Sequence, residues 1–149
     1  MSAQSNFSLT AVLSPESRAA VLIEALPYIR RFADKVVVVK YGGNALAGAS
    51  EADALALFAE DIVLMRLVGL KPVVVHGGGP QIDAALKEEE IASEFIGGFR
   101  VTTPEIFEVV ERVLVNEVGP EVVNSLRRAG VNAVALSGRT SESLIAEPL

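Results

Sequence analysis

Two glycine-rich turns in this sequence each follow a run of valines. The first contains Gly42 and Gly43 and comes shortly after four consecutive valines, and the second is Gly77–Gly79, shortly after three. Glycine lets backbone N–H groups at such a turn approach a ligand closely, because it has no Cβ. Lys40 stands beside the first turn, where its ammonium could neutralise phosphate oxygens that the amides also bind. These residues therefore indicate a site for phosphate or carboxylate.

Arg100 and His76 are two further candidates. Arg100 lies between Phe99 and Val101, and a guanidinium in an apolar stretch needs an anionic partner. That partner is either a ligand carboxylate or a carboxylate of the protein in a structural salt bridge, and the residues leave both open. His76 is the only histidine, and structural hydrogen bonding is its ordinary role. With no second histidine and no compact carboxylate cluster, the sequence indicates no metal site held by the protein.

The elements that must position these residues alternate between strand and helix. The valine runs predict two strands buried on both faces, as in a parallel sheet, and residues 51–68 predict the helix between them. Because parallel neighbours end at one edge of the sheet, both glycine turns should open there. Residues 131–136 predict a third strand. The pattern is that of an α/β domain.

Helix and turn signals delimit the remaining segments. Ser14-Pro15 begins a helix over residues 14–33, which Pro27 should kink or break near Ala25. We expect residues 1–13 to form a flexible tail. The other signals are a helix start at Pro80, a hairpin turn at Gly97-Gly98, a helix start at Thr103-Pro104, and an interruption of that helix at Gly119-Pro120.

Composition narrows the class of protein. The chain has 149 residues, of which 50% are apolar, with a mean hydropathy of +0.41 and no cysteine. No apolar run approaches the roughly 18 residues that cross a bilayer, so the apolar excess indicates an oligomer interface or a contact face for a further domain. A net charge of −6 without a basic cluster argues against nucleic acid. We therefore expect a soluble cytoplasmic protein without a membrane or nucleic-acid partner.

Three motifs, in this order and spacing, resemble the N-acetyl-L-glutamate kinases of the amino-acid kinase family. They are Val-Val-Val-Lys-Tyr-Gly-Gly-Asn-Ala, Val-Val-His-Gly-Gly-Gly-Pro-Gln-Ile and Gly-Gly-Phe-Arg-Val-Thr-Thr-Pro-Glu. The resemblance runs from about Pro15 to about Ile145 and covers only the amino-terminal half of the family's protein. It implies a three-layer α/β/α sandwich with a mainly parallel central sheet. Residues 34–149 would be the acetylglutamate-binding lobe, and the ATP-binding lobe would be absent from this chain.

The resemblance also implies an activity, which is ATP-dependent phosphorylation of the side-chain carboxylate of N-acetyl-L-glutamate, the second step of arginine biosynthesis. Lys40 would stabilise the transition state, Gly42 and Gly43 would bind phosphate, and Mg²⁺ would arrive with ATP. Substrate would be bound by Gly78, Gly79 and Arg100. The family further implies a homo-oligomer, dimer or hexamer, with arginine as feedback inhibitor, and a chain of this length would be inactive alone. The alternatives are a non-catalytic fragment that binds substrate or oligomerises, and another amino-acid kinase such as carbamate kinase.

Overall fold

The computed structural model describes residues 13–42, 51–139 and residue 145. The flexible tail expected over residues 1–13 falls almost entirely outside the residues that the structure describes. The described residues form two small sheets and five α-helices, with a π-helical segment between the last two helices. The helices are α1 (Pro15–Phe32), α2 (Glu51–Leu67), α3 (Gly79–Glu88), α4 (Pro104–Arg112) and α5 (Gly119–Arg128), the strands are β1 (Val36–Tyr41), β2 (Lys71–His76), β3 (Phe95–Ile96) and β4 (Phe99–Arg100), and the π-helical segment is Val113–Val118.

The strands β1 and β2 are parallel neighbours joined by α2. Their register runs from Val36 opposite Lys71 to Tyr41 opposite His76. Gly69, with a φ of +94°, ends the connection after α2 in a left-handed conformation that glycine adopts at little cost. This βαβ unit confirms the predicted α/β class and the predicted parallel pairing.

The core lies on one face of the β1–β2 sheet. Val39, Tyr41 and Val74 pack from the strands against a cluster of helical side chains. The buried members of that cluster are Leu55, Ala59, Ile62, Ile82, Leu86, Ile106, Val109, Val113, Val118, Val122 and Leu126.

The opposite face of this sheet is open in the part of the chain that the structure describes. Val36 and Val38 are 65% and 66% exposed, and Val73 and Val75 are about half exposed. The prediction that both faces are buried is therefore wrong for these residues, because the core helices all pack against the other face. We call Val36, Val38, Val73 and Val75 the open valine face.

The first helix begins as the sequence predicts but does not break where expected. The Ser14 hydroxyl accepts a hydrogen bond from the Ser17 N–H, and hydrogen bonds from the Glu16 backbone and from Ser14 lower the pKa of Glu16. The helix continues through Pro27. Ile23, whose carbonyl has no helical donor at Pro27, is exposed, so water can take that hydrogen bond. No residue of α1 is buried.

The fourth helix also continues where an interruption was expected. Thr103 caps α4 by accepting from the Ile106 N–H. The predicted interruption at Gly119-Pro120 is wrong, because the chain widens into the π-helical segment and stays helical. The Gly119 N–H donates to the Leu114 carbonyl, five residues earlier, and this wider turn accommodates the proline that follows.

The hairpin is confirmed and the third strand is not. β3 and β4 pair antiparallel around Gly97 and Gly98, both with positive φ. Residues 131–136 pair with neither β1 nor β2 and are not a strand, so that prediction is wrong. The segment is held to α5 instead: Arg127 Nε donates to the Ala133 carbonyl at 3.0 Å.

Candidate anion-binding site

The two glycine turns meet at the carboxyl edge of the sheet. Tyr41 and His76, the last residues of β1 and β2, are register partners, and the Gly77 N–H donates to the Tyr41 carbonyl at 2.9 Å. Both turns therefore open at one edge, as the sequence predicts. Gly42 belongs to the described chain, whereas Gly43 lies outside the described residues.

Lys40 and His76 lie on opposite faces of this edge. Lys40 is exposed on the side of the open valine face, and it has no hydrogen-bond or ion-pair partner among the residues the structure describes. His76 faces the core helices, and its Nδ1 lies 3.1 Å from the Gly77 carbonyl oxygen. The lysine is thus available to a ligand, while the histidine has the structural role that is ordinary for a lone histidine.

The second turn has one closed side and one open side. Gly78 is buried, and a Cβ placed on it would lie 2.7 Å from Leu114 Cδ2 and 3.3 Å from Val118 Cγ2. None of the described residues would lie within 4 Å of a Cβ on Gly79. The Leu114 and Val118 side chains thus occupy the space that a Cβ on Gly78 would need, whereas in the described part of the chain Gly79 is open.

The open side of this turn is the amino terminus of α3. Gly79 and Pro80 are its first residues, and the first intrahelical bond runs from the Ile82 N–H to the Gly78 carbonyl at 2.8 Å. The amides at such a helix start have no acceptor within the helix, and the helix dipole favours negative charge there. With Lys40 on the neighbouring strand, the donor set suits a phosphate or carboxylate.

Arg100 is held by partners within the protein. Its Nη2 lies 2.6 Å from Asp83 Oδ1, its Nη1 donates to the Ser93 hydroxyl, and its Cζ lies 4.6 Å from the centre of the Phe95 ring. The Arg100 side chain is only 13% exposed, whereas Asp83 is largely exposed. The hydrogen bonds to Asp83 and Ser93 occupy two of the five guanidinium N–H donors. Asp83 belongs to α3, so the hairpin that carries Arg100 is tied to the same helix whose amino terminus borders the glycine turn.

Sequence reasoning missed several residues that shape this site. Asp83 and Ser93 hold Arg100, and Leu114, Val118 and Gly119 lie behind the second turn. The expected anionic partner of Arg100 was a signal for Asp83, but several carboxylates met that description equally well. Gly119-Pro120 was visible as a feature and gave no indication that Gly119 lies close to His76.

The described residues also bear on metal binding and on membrane insertion. No group of three or more His, Asp or Glu side chains there could hold a metal ion. None of the helices in the described ranges is both long and apolar enough to span a membrane.

The parallel βαβ unit makes this an α/β protein, and its glycine turns lie at the carboxyl edge of the sheet, where an anion could bind. The chain belongs to the amino acid kinase family: the family model described as "Amino acid kinase family" matches residues 35–147.

Curated relatives are similar over most of this chain. It is 49% identical over 142 residues to a protein named acetylglutamate kinase from Azoarcus sp. (strain BH72), covering 95% of this chain and 46% of that protein. To the acetylglutamate kinase of Bordetella avium (strain 197N) it is 54% identical over 129 residues, covering 87% and 42%. The chain therefore spans a little under half the length of these relatives.

Solved structures share the fold. The smu.665 protein of Streptococcus mutans UA159 superposes with a TM-score of 0.59 at 30% identity, over 72% of this chain and 42% of that one. An N-acetylglutamate synthase from Neisseria gonorrhoeae, complexed with coenzyme A and N-acetyl-glutamate, superposes with a TM-score of 0.60 over 76% of this chain and 26% of that one. At 24% identity the second likeness concerns the fold alone.

Proposed function

We propose that this sequence is the amino-terminal lobe of an enzyme that phosphorylates the side-chain carboxylate of N-acetyl-L-glutamate with ATP, the second step of arginine biosynthesis. The observation that carries the proposal is the identity of about half of all residues to proteins named acetylglutamate kinase over most of this chain. The two neighbouring glycine turns and Lys40 would supply the hydrogen-bond donors and the positive charge that this reaction needs.

The reaction requires alignment and charge neutralisation more than covalent help. The acceptor is already a carboxylate, so no general base has to remove a proton. The two reacting groups are both anions, and their repulsion must be offset by donors fixed in place. Lys40, exposed and without a partner among the described residues, is suited to stabilise the charge on the transferring phosphoryl group.

The remaining residues would hold the two anions in position. Gly42 and Gly43 would offer amides to phosphate, and Gly78 and Gly79 would offer amides at the start of α3 to phosphate and to the substrate carboxylate. Arg100 would bind the α-carboxylate with the guanidinium donors that Asp83 and Ser93 leave free. Asp83 would then orient the guanidinium, and the salt bridge and the substrate contact would coexist.

The other parts of the reaction lie outside these residues. We propose that Mg²⁺ arrives with ATP, that the ATP-binding lobe is supplied by sequence beyond this chain, and that the 149 residues alone do not turn over. We also propose a cytoplasmic location for the enzyme. We further propose a homo-oligomer, dimer or hexamer, with arginine as feedback inhibitor, and assign the two-fold contact to the helices around residues 106–118 and 122–126.

The activity can be tested on the purified full-length gene product. With ATP and Mg²⁺, N-acetyl-L-glutamate should yield an acyl phosphate that hydroxylamine traps as a hydroxamate, and carbamate should give no ATP turnover. The 149-residue chain is the matched control and should give no product. Turnover with carbamate alone would transfer the assignment to carbamate kinase, and substrate binding without turnover would favour a non-catalytic protein.

A further inference from the structure

The helix formed by α4, the π-helical segment and α5 comes close to the end of β2 and its glycine turn at two places. Leu114 and Val118 fill the space behind Gly78, where an added Cβ would approach them to 2.7 and 3.3 Å. At the second place a Cβ on Gly119 would lie 3.5 Å from His76 Nε2. Gly78 and His76 flank Gly77, so the two approaches lie on either side of the first residue of the turn.

Gly119 is the residue on which this arrangement depends. A Cβ there would come within 2.9 Å of the Leu114 carbonyl oxygen, the acceptor of the Gly119 N–H. That oxygen is a backbone atom and cannot rotate away as a side chain can. Any residue larger than glycine would therefore shift the π-helical turn, and Leu114 would move with it. The π-helical turn sets where Leu114 stands relative to Gly78.

We propose that Leu114, Val118 and Gly119 are positioning residues for the Gly77–Gly79 turn. None of them touches a ligand. They act by filling the space behind the turn, so that its amides keep one orientation when an anion binds on the open side at Gly79. This deepens the proposed function and rests on it, because the anion is taken to be N-acetyl-L-glutamate or the transferring phosphate. Donors fixed in advance stabilise charge better than donors that must be reoriented.

The main test is Gly119→Ala in the full-length gene product. We expect the KM for N-acetyl-L-glutamate to rise about tenfold, a fraction of the roughly hundredfold that a misplacement of about 1 Å can cost. The KM for ATP should rise less than the KM for N-acetyl-L-glutamate, because this turn would contact only the transferring phosphate and the ATP-binding lobe would hold the rest of the nucleotide. The matched control is Leu126→Ala, a buried core residue two turns further along α5, which should lower the Tm and leave both KM values unchanged.

A second variant covers the case in which Gly119→Ala does not fold. Leu114→Ala removes the side chain behind Gly78 without a backbone collision, and the KM for N-acetyl-L-glutamate should rise about threefold. The pair of changes is more informative still. Gly78→Ala alone should weaken substrate binding, and adding Leu114→Ala should restore part of it, because the deleted side chain vacates the space that the new methyl needs.

Amide hydrogen exchange gives a readout that does not depend on activity. The peptide over residues 77–82 should exchange about threefold or more faster in Gly119→Ala and Leu114→Ala than in Leu126→Ala. Equal exchange in all three variants, or unchanged KM values in an active enzyme, would overturn the positioning role. If the wild-type full-length protein showed no kinase activity, the proposed function would be overturned instead. The hydrogen-exchange rates of the three variants would still decide the positioning role.

Discussion

The ends of β1 and β2 lie side by side at one edge of the sheet, yet they are built differently. At the β1 end, Lys40 is exposed and has no partner among the described residues, and none of these residues would lie within 4 Å of a Cβ on Gly42. At the β2 end, Gly78 is enclosed by Leu114 and Val118. In the described part of the chain, the β2 end is therefore held from behind, whereas no such packing is present at Lys40 and Gly42.

This difference assigns the two ends different physical tasks. A held turn presents amides in one orientation and can define where an anion binds. An exposed lysine has a long, flexible side chain, so its ammonium can shift position as negative charge moves between groups during a reaction. Arg100 belongs to the held side, because Asp83 ties it to α3. We infer that the β2 end fixes the acceptor substrate and that the β1 end responds to the transferring group.

The largest expected effect comes from removing the ammonium group of Lys40. Lys40→Ala should lower kcat by about a thousandfold, since one lost donor to transition-state charge costs on the order of 3–4 kcal/mol, and N-acetyl-L-glutamate binding should stay within a few fold. Steady-state kinetics and calorimetry on the full-length protein measure both. Lys35, an exposed lysine just before the same strand, provides the control: Lys35→Ala should leave kcat and N-acetyl-L-glutamate binding unchanged. An unchanged kcat in Lys40→Ala would remove the distinction between the two ends.

Arg100→Lys should have the next largest effect, and on binding. An ammonium cannot reproduce the fork of donors that holds a carboxylate, so the Kd for N-acetyl-L-glutamate should rise about tenfold or more. Calorimetry measures this directly. Asp83→Asn is the companion variant: it keeps the guanidinium but loses the charged orienting partner, and a rise of a few fold is expected. Equal affinities in all three proteins would make Arg100 a structural salt bridge only.

Two neighbouring glycines test the held turn through stability. Gly78→Ala should lower the free energy of unfolding by about 1–3 kcal/mol, because its methyl overpacks against Leu114 and Val118. Gly79→Ala should change it by no more than about 0.5 kcal/mol, because a Cβ there would meet none of the described residues. Urea denaturation of both variants measures the difference. Equal losses would mean that the helix does not hold the turn from behind.

The smallest effect on turnover is expected far from this edge. Deleting residues 1–33 removes α1, which has no buried residue and exposes Val21, Leu22, Ile23 and Leu26. We expect kcat/KM within about twofold of the full-length enzyme, a smaller oligomer and lost arginine inhibition. Light scattering and inhibition assays report these changes. The same oligomer with and without the segment would show that α1 does not contribute to subunit assembly.

Local signals in the sequence were sufficient for much of this architecture. Valine runs, proline helix starts and the glycine pair of the hairpin each act within a few residues, and the structure has β1, β2, α3, α4 and the hairpin where those signals predict them. The shared edge of the two turns followed from the parallel pairing that a connecting helix implies.

The features that were missed depend on contacts between distant segments. The interruption expected at Gly119 follows from proline chemistry, yet the chain absorbs it in a π-helical turn. Residues 131–136 have the composition of a strand but no pairing partner among the described strands. The Arg100–Asp83 pair joins a hairpin to a helix seventeen residues away in sequence. Propensity and spacing cannot choose among such pairings, because their energies depend on tertiary packing.

The open valine face has a consequence for how this lobe behaves in solution. In the described part of the chain the sheet has two strands, so each strand also has one edge without a partner strand. Apolar side chains beside unpaired backbone groups favour sheet-to-sheet association between molecules. A further segment or subunit packed on the open valine face would therefore also reduce aggregation. Substitutions of Val36, Val38, Val73 or Val75 should therefore change expression yield and colloidal stability before they change catalysis.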